Sequence, residues 1–456
     1  MDVQAKIDDM MAKSRAALKV LYTYNQEQVD ALCKAICLAF KEKAVEFSKE
    51  AIEETGMGNY DHKLIKNAGT PDGMWLSVKG QKSVGVIGED KEHGITFIGQ
   101  PKGVIATVCP TTNPNMTALA NAVMCIKGRN TVIVCPHPRA AKTTTHSVEV
   151  MNEALKKLGA PDHIIQVVPE ISVEVTQAVM RACDTTIATG GPGMVRSAYS
   201  SGKPAFGVGA GNVQGVIDRG YDLNDAVGQI IVGRAFDNGQ VCACNQSAIY
   251  PREVHDEIVK VFKAQGAHFV SDPAEIAKYR AGIFPDGKHS PKVVGQSPAR
   301  VAQECGTTIP DNTSVIVLLG DSKKYGANEL LCGEKMCPVL IAIPYDDWEE
   351  AVDIAVANLL YSGAGHTCCL FSNDDDRVVK AATRLPVCRV MVNQFGPNSI
   401  NVTGTNGLPP TSTLGCGSWG GSSVDENVTF RHLINISRVA RNIPGAKPPA
   451  ADEIYS

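Results

Sequence analysis

The sequence predicts an α/β protein with parallel sheets, and three observations carry that reading. Strand-like and helix-like segments alternate from Val104 to Ala188, a second α/β region follows from about residue 213, and 456 residues at 44% hydrophobic content can bury more than one core. Strands alternating with helices of about ten to sixteen residues imply βαβ units, and a chain of this length has about two to three domains as its prior.

The first ~60 residues read as helical. Val29, Leu32, Cys33, Ile36, Cys37, Phe40 and Phe47 fall mostly at three- and four-residue spacing, and Gly56 is placed to stop a helix. Such a segment can pack on its own domain or serve as a targeting or partner-binding helix. Val84–Ile87 and Ile95–Ile98 then read as two strands joined by the charged turn 88–94, which is a hairpin signal. The alternation that follows is strand Val104–Val108, helix Met116–Lys127, strand Thr131–Val134, helix Thr143–Leu158, strand Ile164–Val168, helix Val173–Ala182 and strand Thr185–Ala188. A parallel sheet of this kind offers a ligand crevice at the carboxyl ends of its strands. Thr189-Gly190-Gly191-Pro192-Gly193 closes the last of these strands and opens a helix, so its bare backbone N–H groups can approach a phosphate. Near the C-terminus, His432–Ser437 is strand-like. With the 84–98 hairpin it is expected to pair across subunits, because exposed apolar strand edges need cover, and a homodimer or larger homo-oligomer is the expected state.

Composition excludes several function classes. A net charge of −4 gives no electrostatic footprint for nucleic acid or an anionic membrane. No apolar run approaches the ~20 residues that cross a bilayer, and the N-terminus lacks a secretory pattern, so a cytoplasmic protein is expected. The fifteen cysteines are scattered without disulfide-scaffold or zinc-ribbon spacing, which points to a reducing compartment and to no metal site.

One cysteine stands apart by its surroundings. Phe236-Asp237-Asn238-Gly239-Gln240-Val241-Cys242-Ala243-Cys244 presents Cys242 at the end of a Gly-containing turn, just before the strand-like run Ser247–Tyr250. A free cysteine is most often a buried small hydrophobe. A thiol displayed on such a turn can instead be a nucleophile. Cys244 lies two residues on, and an extended segment would put both thiols on one face.

This run resembles the active-site signature of the CoA-acylating aldehyde dehydrogenases, including the aldehyde dehydrogenase half of bifunctional acetaldehyde/alcohol dehydrogenases and the CoA-dependent succinate-semialdehyde dehydrogenases. Further blocks appear in that family's order: Pro110-Thr111-Thr112-Asn113-Pro114, Pro136-His137-Pro138-Arg139, Ala188–Gly193, Gly207–Asn212, Glu334–Pro338, Gly365-His366-Thr367 and Leu414–Gly420. The resemblance covers almost the whole chain. It implies an aldehyde dehydrogenase-like α/β fold: a Rossmann-type cofactor domain over 1–212 with an oligomerisation hairpin at 83–101, an α/β catalytic domain over 213–425, and an oligomerisation strand and tail over 426–456.

The implied chemistry is oxidation of a small aldehyde through Cys242, with NAD or NADP as hydride acceptor and coenzyme A as co-substrate. Acetaldehyde, succinate semialdehyde or a similar short functionalised aldehyde is the expected substrate. The Cys242 backbone N–H and the Asn113 side chain are the implied oxyanion donors, with Thr112 as the neighbouring alternative. Thr189, Gly190, Gly191, Gly193 and Gly209 would hold the dinucleotide, and Glu334 its nicotinamide ribose. His137 and Arg139 follow the second strand, where a carboxylate would grip the adenosine ribose of NAD; none is visible in the sequence there, and an Arg could accommodate the extra phosphate of NADP. His366 is either a base for the CoA thiol or a structural histidine in a Gly-rich turn.

Hydrolytic relatives activate water with a glutamate in a Glu-Leu-Gly-Gly-type segment. The matching stretch here, Gly207–Asn212, has none. The acyl group is therefore expected to leave to CoA rather than to water. The rival readings are a hydrolytic dehydrogenase releasing a free acid and a non-catalytic assembly subunit. No iron-dependent alcohol dehydrogenase segment follows the tail Pro444–Ala451, so the reaction is expected to stop at the aldehyde. The resemblance allows a place in the free cytoplasm or in a bacterial microcompartment. The segment expected to line the substrate pocket, Asn393–Asn406, departs from the Gly-Gly-containing loops of the known members.

Overall fold

A computed structural model describes residues 3–456. The chain opens with helices α1 (Val3–Leu21), α2 (Gln26–Glu42), α3 (Ala44–Thr55) and α4 (Tyr60–Val78). Asn25 starts α2 with a capping box shared with Gln28, and Gly56 ends α3 in the left-handed conformation at φ 67°. Leu32, Cys33, Ile36, Cys37 and Phe40 of α2, with Phe47 of α3, are buried in a core beneath the first parallel sheet, and Val29 is buried as well. These helices therefore pack on their own domain, as one of the two readings had it. Helix α4 is unannounced in the sequence, because it carries Gly69, Pro71 and Gly73. Gly73 is there for contact: a Cβ would stand 2.7 Å from the Val402 carbonyl oxygen.

Strands β1 (Gly85–Asp90) and β2 (Ile95–Pro101) form the expected hairpin, with β1 running on to Asp90 through an irregularity at Val86/Gly88. The alternation then unfolds as read through β3 (Val104–Val108), α5 (Pro114–Lys127), β4 (Thr131–Cys135), α6 (Ala141–Lys157), β5 (Ile165–Val167), α7 (Val173–Ala182), β6 (Thr185–Thr189) and the start of α8 (Pro192–Tyr199), and a strand the sequence reading did not mark, β7 (Ala205–Val208), completes it. The strands make a parallel five-stranded sheet in the order β5-β4-β3-β6-β7. Helix α5 is buried along its whole length, wedged against α2, α4 and α6. The sequence gives it no polar face for that reason.

A second parallel sheet starts at β8 (Val213–Ile217) and, after α9 (Leu223–Ala235), adds β9 (Asn245–Pro251), β10 (Ala267–Val270), β11 (Val315–Leu319), β12 (Val339–Tyr345), β13 (Gly365–Phe371) and β14 (Val387–Val392). Its order is β10-β11-β12-β9-β8-β13-β14. The chain then returns to the first core, where Val424, Val428, Phe430 and Leu433 pack.

Strand β15 (Ile434–Ala440) corrects one expectation. It pairs antiparallel with β2 of its own chain, Ile436 opposite Gly99, and not across subunits. Cover for one hairpin edge is thus intramolecular, while residues 435–440 face outward. No helix among the described residues is long and apolar enough to cross a membrane.

Candidate active site

A cavity of ≈ 670 Å³ opens where β3, β4, β6 and β7 end, at the carboxyl edge of the five-stranded sheet. Its wall includes Thr112, Asn113, His137, Arg139, Thr189, Gly190, Gly191, Gly209, Cys242 and Glu334, so most of the residues singled out in the sequence meet there. Gly193, in the first turn of α8, and His366 are not part of that wall.

Cys242 reaches the cavity because the preceding loop is forced into an unusual path. Asp237 and Asn238 have φ of 50° and 53° and Gly239 has φ of 69°, a left-handed run costly for the first two. Buried bonds hold it. The Asn238 amide donates to the carbonyls of Gly58 and Gly295 at 3.0 Å each, and the wholly buried Arg234 guanidinium takes the carbonyls of Gly239 and Asn245. A Cβ at Gly239 would meet that guanidinium at 2.1 Å. The chain then turns, with Cys244 N–H donating to the Val241 carbonyl at 2.9 Å. The turn sends the two thiols apart, against the expectation of a shared face. Cys242 is half-buried at the cavity, whereas Cys244 is buried with its Sγ on the Phe236 carbonyl at 3.4 Å.

Burial, and then the neighbouring Glu334 carboxylate, push the Cys242 thiol up to about 12. Cys242 is therefore held as a thiol at neutral pH. Among the described residues Glu334 is the only carboxylate in the cavity wall; burial raises it to about 7 against the opposing pull of the Gly211 N–H, which donates to Oε1 at 3.3 Å. Next to it, the buried Lys335 ammonium donates to the Leu331 and Gly333 carbonyls at 2.7 and 3.0 Å and fixes the turn that presents Glu334.

Asn113 stands at the N-cap position of α5, yet its side chain caps nothing and is left to the cavity. Its Nδ2 donates to Thr112 Oγ1 at 3.1 Å. Among the described residues, the Cys242 backbone N–H has no acceptor, so both implied oxyanion donors are available.

The crevice between β6 and α8 has the shape expected of a dinucleotide site. Thr189 ends β6 with its hydroxyl buried and unpartnered, Gly191 begins α8, and a Cβ at Gly191, Gly193 or Gly209 would meet nothing within 4 Å. A pyrophosphate can therefore approach the backbone. At the end of β4, His137 Nδ1 accepts from the Arg139 N–H at 3.1 Å, and the Arg139 guanidinium donates to the Thr55 carbonyl at 3.0 Å. A carboxylate stands close by after all: Glu54 of α3, whose two oxygens each take an N–H at the start of α6, Lys142 and Thr143, at 2.8 Å. Sequence reasoning missed Glu54 because it is contributed from some ninety residues upstream, with the helix α3 as the only local signal.

His366 lies behind the site. It is fully buried, burial and then Arg389 lower its imidazole to about 3, and its Nδ1 is 3.0 Å from the Thr367 hydroxyl. Its ring packs against Gly211, where a Cβ would come within 3.2 Å of it and within 2.0 Å of the Cys242 carbonyl oxygen. Of the segment expected to line the substrate pocket, Ile400 reaches the wall.

A nucleophilic-type cysteine facing a dinucleotide-type crevice, on two parallel sheets in this order, is accompanied by a match of residues 2–302 to the aldehyde dehydrogenase family model. The chain belongs to the aldehyde dehydrogenase family. It is 46% identical over 455 residues, covering 100% of both chains, to the acetylating succinate-semialdehyde dehydrogenase of Clostridium kluyveri. It is 37% identical to the aldehyde-alcohol dehydrogenase of Clostridium acetobutylicum over 95% of this chain and 51% of that one. The acetylating aldehyde dehydrogenase of Geobacillus thermoglucosidasius superimposes with a TM-score of 0.94 at 33% identity over 98% of each chain. Two of these three relatives are named as acetylating enzymes, which favours the acylating class over the hydrolytic alternative.

Proposed function

We propose that the protein catalyses the reversible, CoA-acylating oxidation of a short aldehyde, with succinate semialdehyde and acetaldehyde the first candidates. The observation that carries this reading is a half-buried cysteine, Cys242, in a cavity whose Gly207–Asn212 edge brings glycine where hydrolytic enzymes bring a glutamate. The name of the Clostridium kluyveri relative supports succinate semialdehyde.

Cys242 loses its thiol proton to solvent, its sulfur adds to the aldehyde carbonyl carbon, and the resulting oxyanion is held by the Cys242 N–H and Asn113 Nδ2. NAD, held in the crevice by Thr189 and the glycines around it, would supply the hydride acceptor. Loss of hydride leaves a thioester on Cys242. The CoA thiol then attacks that thioester, its C–S bond to Cys242 breaks, and acyl-CoA leaves with the cysteine restored. Glu334 would hold the ribose of the nicotinamide half. His366 acts through its packing beneath Gly211 and Cys242, since it is buried away from the cavity.

NAD is the preferred cofactor in this reading. The start of α6 is an anion site by its free N–H groups, and Glu54 already occupies it with negative charge. The chain divides into a cofactor unit over 1–212, a catalytic unit over 213–425 and an assembly strand and tail over 426–456. A homo-oligomer is supported by exposed Val86, Ile436 and Val439 on the three-stranded sheet. The test is product analysis with each aldehyde, CoA, and NAD or NADP: an acyl-CoA thioester is expected, and free acid as the main product would overturn the assignment.

A further inference from the structure

Two lysines lie buried beneath the catalytic loop. Helix α4 places Lys63 and Lys66 on one face, one turn apart, with relative exposures of 2% and 5%. A buried ammonium is tolerated only when paired. Both donate to Asp237 Oδ2, Lys63 at 3.0 Å, and Asp237 Oδ1 accepts the Asn59 N–H at 2.9 Å. Burial alone would raise the Asp237 carboxyl, but the two ammoniums outweigh it and hold it at about 2. Lys63 also donates to the Thr112 carbonyl at 2.9 Å. Lys66 has a further partner: the side-chain oxygen of Asn113, at 2.6 Å.

That contact decides the orientation of the Asn113 amide. An ammonium has only donors, so the atom facing it must be Oδ1, and Nδ2 must point the other way. The bond is charge-assisted, and pulling density toward Oδ1 makes the Nδ2 hydrogens better donors. We infer that Lys66 is a positioning residue for oxyanion stabilisation, locking the Asn113 amide with its N–H groups toward the reacting carbonyl; this rests on the reading of Asn113 given above. Without Lys66 the amide is free to turn its oxygen toward the developing negative charge.

The test is a double-mutant cycle on the holoenzyme, read in pre-steady state. Asn113→Ala should slow acylation of Cys242 by about 10²–10³-fold. Lys66→Met should slow acylation and CoA-dependent deacylation alike, by ~10–10²-fold, because both pass through an oxyanion. Adding Lys66→Met to Asn113→Ala should cost less than about threefold more. Alkylation of Cys242 by iodoacetamide, which forms no oxyanion, and NADH affinity should stay at native values in Lys66→Met; a disturbed loop would change both. Where the methionine variant does not fold, Lys66→Gln carries the same test. Effects that multiply in the double variant, or a native acylation rate in Lys66→Met, would overturn the inference while leaving Asn113 in place. A native rate in Asn113→Ala would overturn the oxyanion reading and this inference with it.

Discussion

Gly211 lies so close beneath Cys242 that a Cβ on it would stand 2.0 Å from the Cys242 carbonyl oxygen. The same glycine donates its N–H to Glu334, so one backbone position sets both the nucleophile and the cavity's carboxylate. Gly211→Ala should displace Cys242 and reduce kcat by about 10²-fold, the cost of a misplacement near 1 Å. Single-turnover kinetics would check it, and a native rate would show that the loop yields freely.

The left-handed loop before the nucleophile separates the two thiols. Cys242→Ala should abolish both directions of the reaction, whereas Cys244→Ala, which removes a thiol buried against the Phe236 carbonyl, should retain much of the activity. Comparable residual rates in the two variants would sink the assignment of Cys242.

Glu54 should set cofactor choice. Glu54→Ala removes the negative charge from the start of α6 and should raise kcat/KM for NADP relative to NAD by at least about tenfold. Loss of the cap should cost ~0.5–2 kcal/mol of stability, measured by denaturant unfolding. An unchanged cofactor ratio would refute the role.

Glu334 gives a pH dependence with a definite sign. Its carboxyl is raised to about 7, so the stability gained by keeping it neutral is fully present below its ordinary value and is lost as pH rises through 7. Glu334→Gln should lose that dependence in thermal unfolding. Ionised Glu334 also raises the Cys242 thiol. The Gln variant should therefore alkylate faster than native enzyme above pH 7 and equally fast below about pH 6, where the native carboxyl is protonated. A rate difference of the same size at both pH values would contradict this.

The sheet alternation was legible because strand and helix periods differ and the segments are strongly apolar; β3 to β6 fall within a residue or two of their predicted bounds. Cys242 was legible because the Gly-containing run before it resembles the family's signature; the turn alone fits a buried core cysteine as well. Residues acting across the fold were not. Glu54 reaches α6 from α3, and Lys63 and Lys66 reach Asp237 from a helix whose Gly and Pro content conceals it. The burial of His366 was equally invisible, since a Gly-His-Thr turn reads the same whether it faces a cavity or, as here, opens strand β13 of the second sheet.

The most direct measurement is reduction of NAD by stoichiometric enzyme and excess aldehyde in the absence of CoA. With no base on the Gly207–Asn212 edge, the acylated Cys242 should accumulate after about one turnover per site, giving a burst that stops and an acyl adduct on Cys242 by mass spectrometry. Added CoA should restore steady turnover and yield a thioester. Sustained turnover without any thiol, releasing free acid at a comparable rate, would contradict the account.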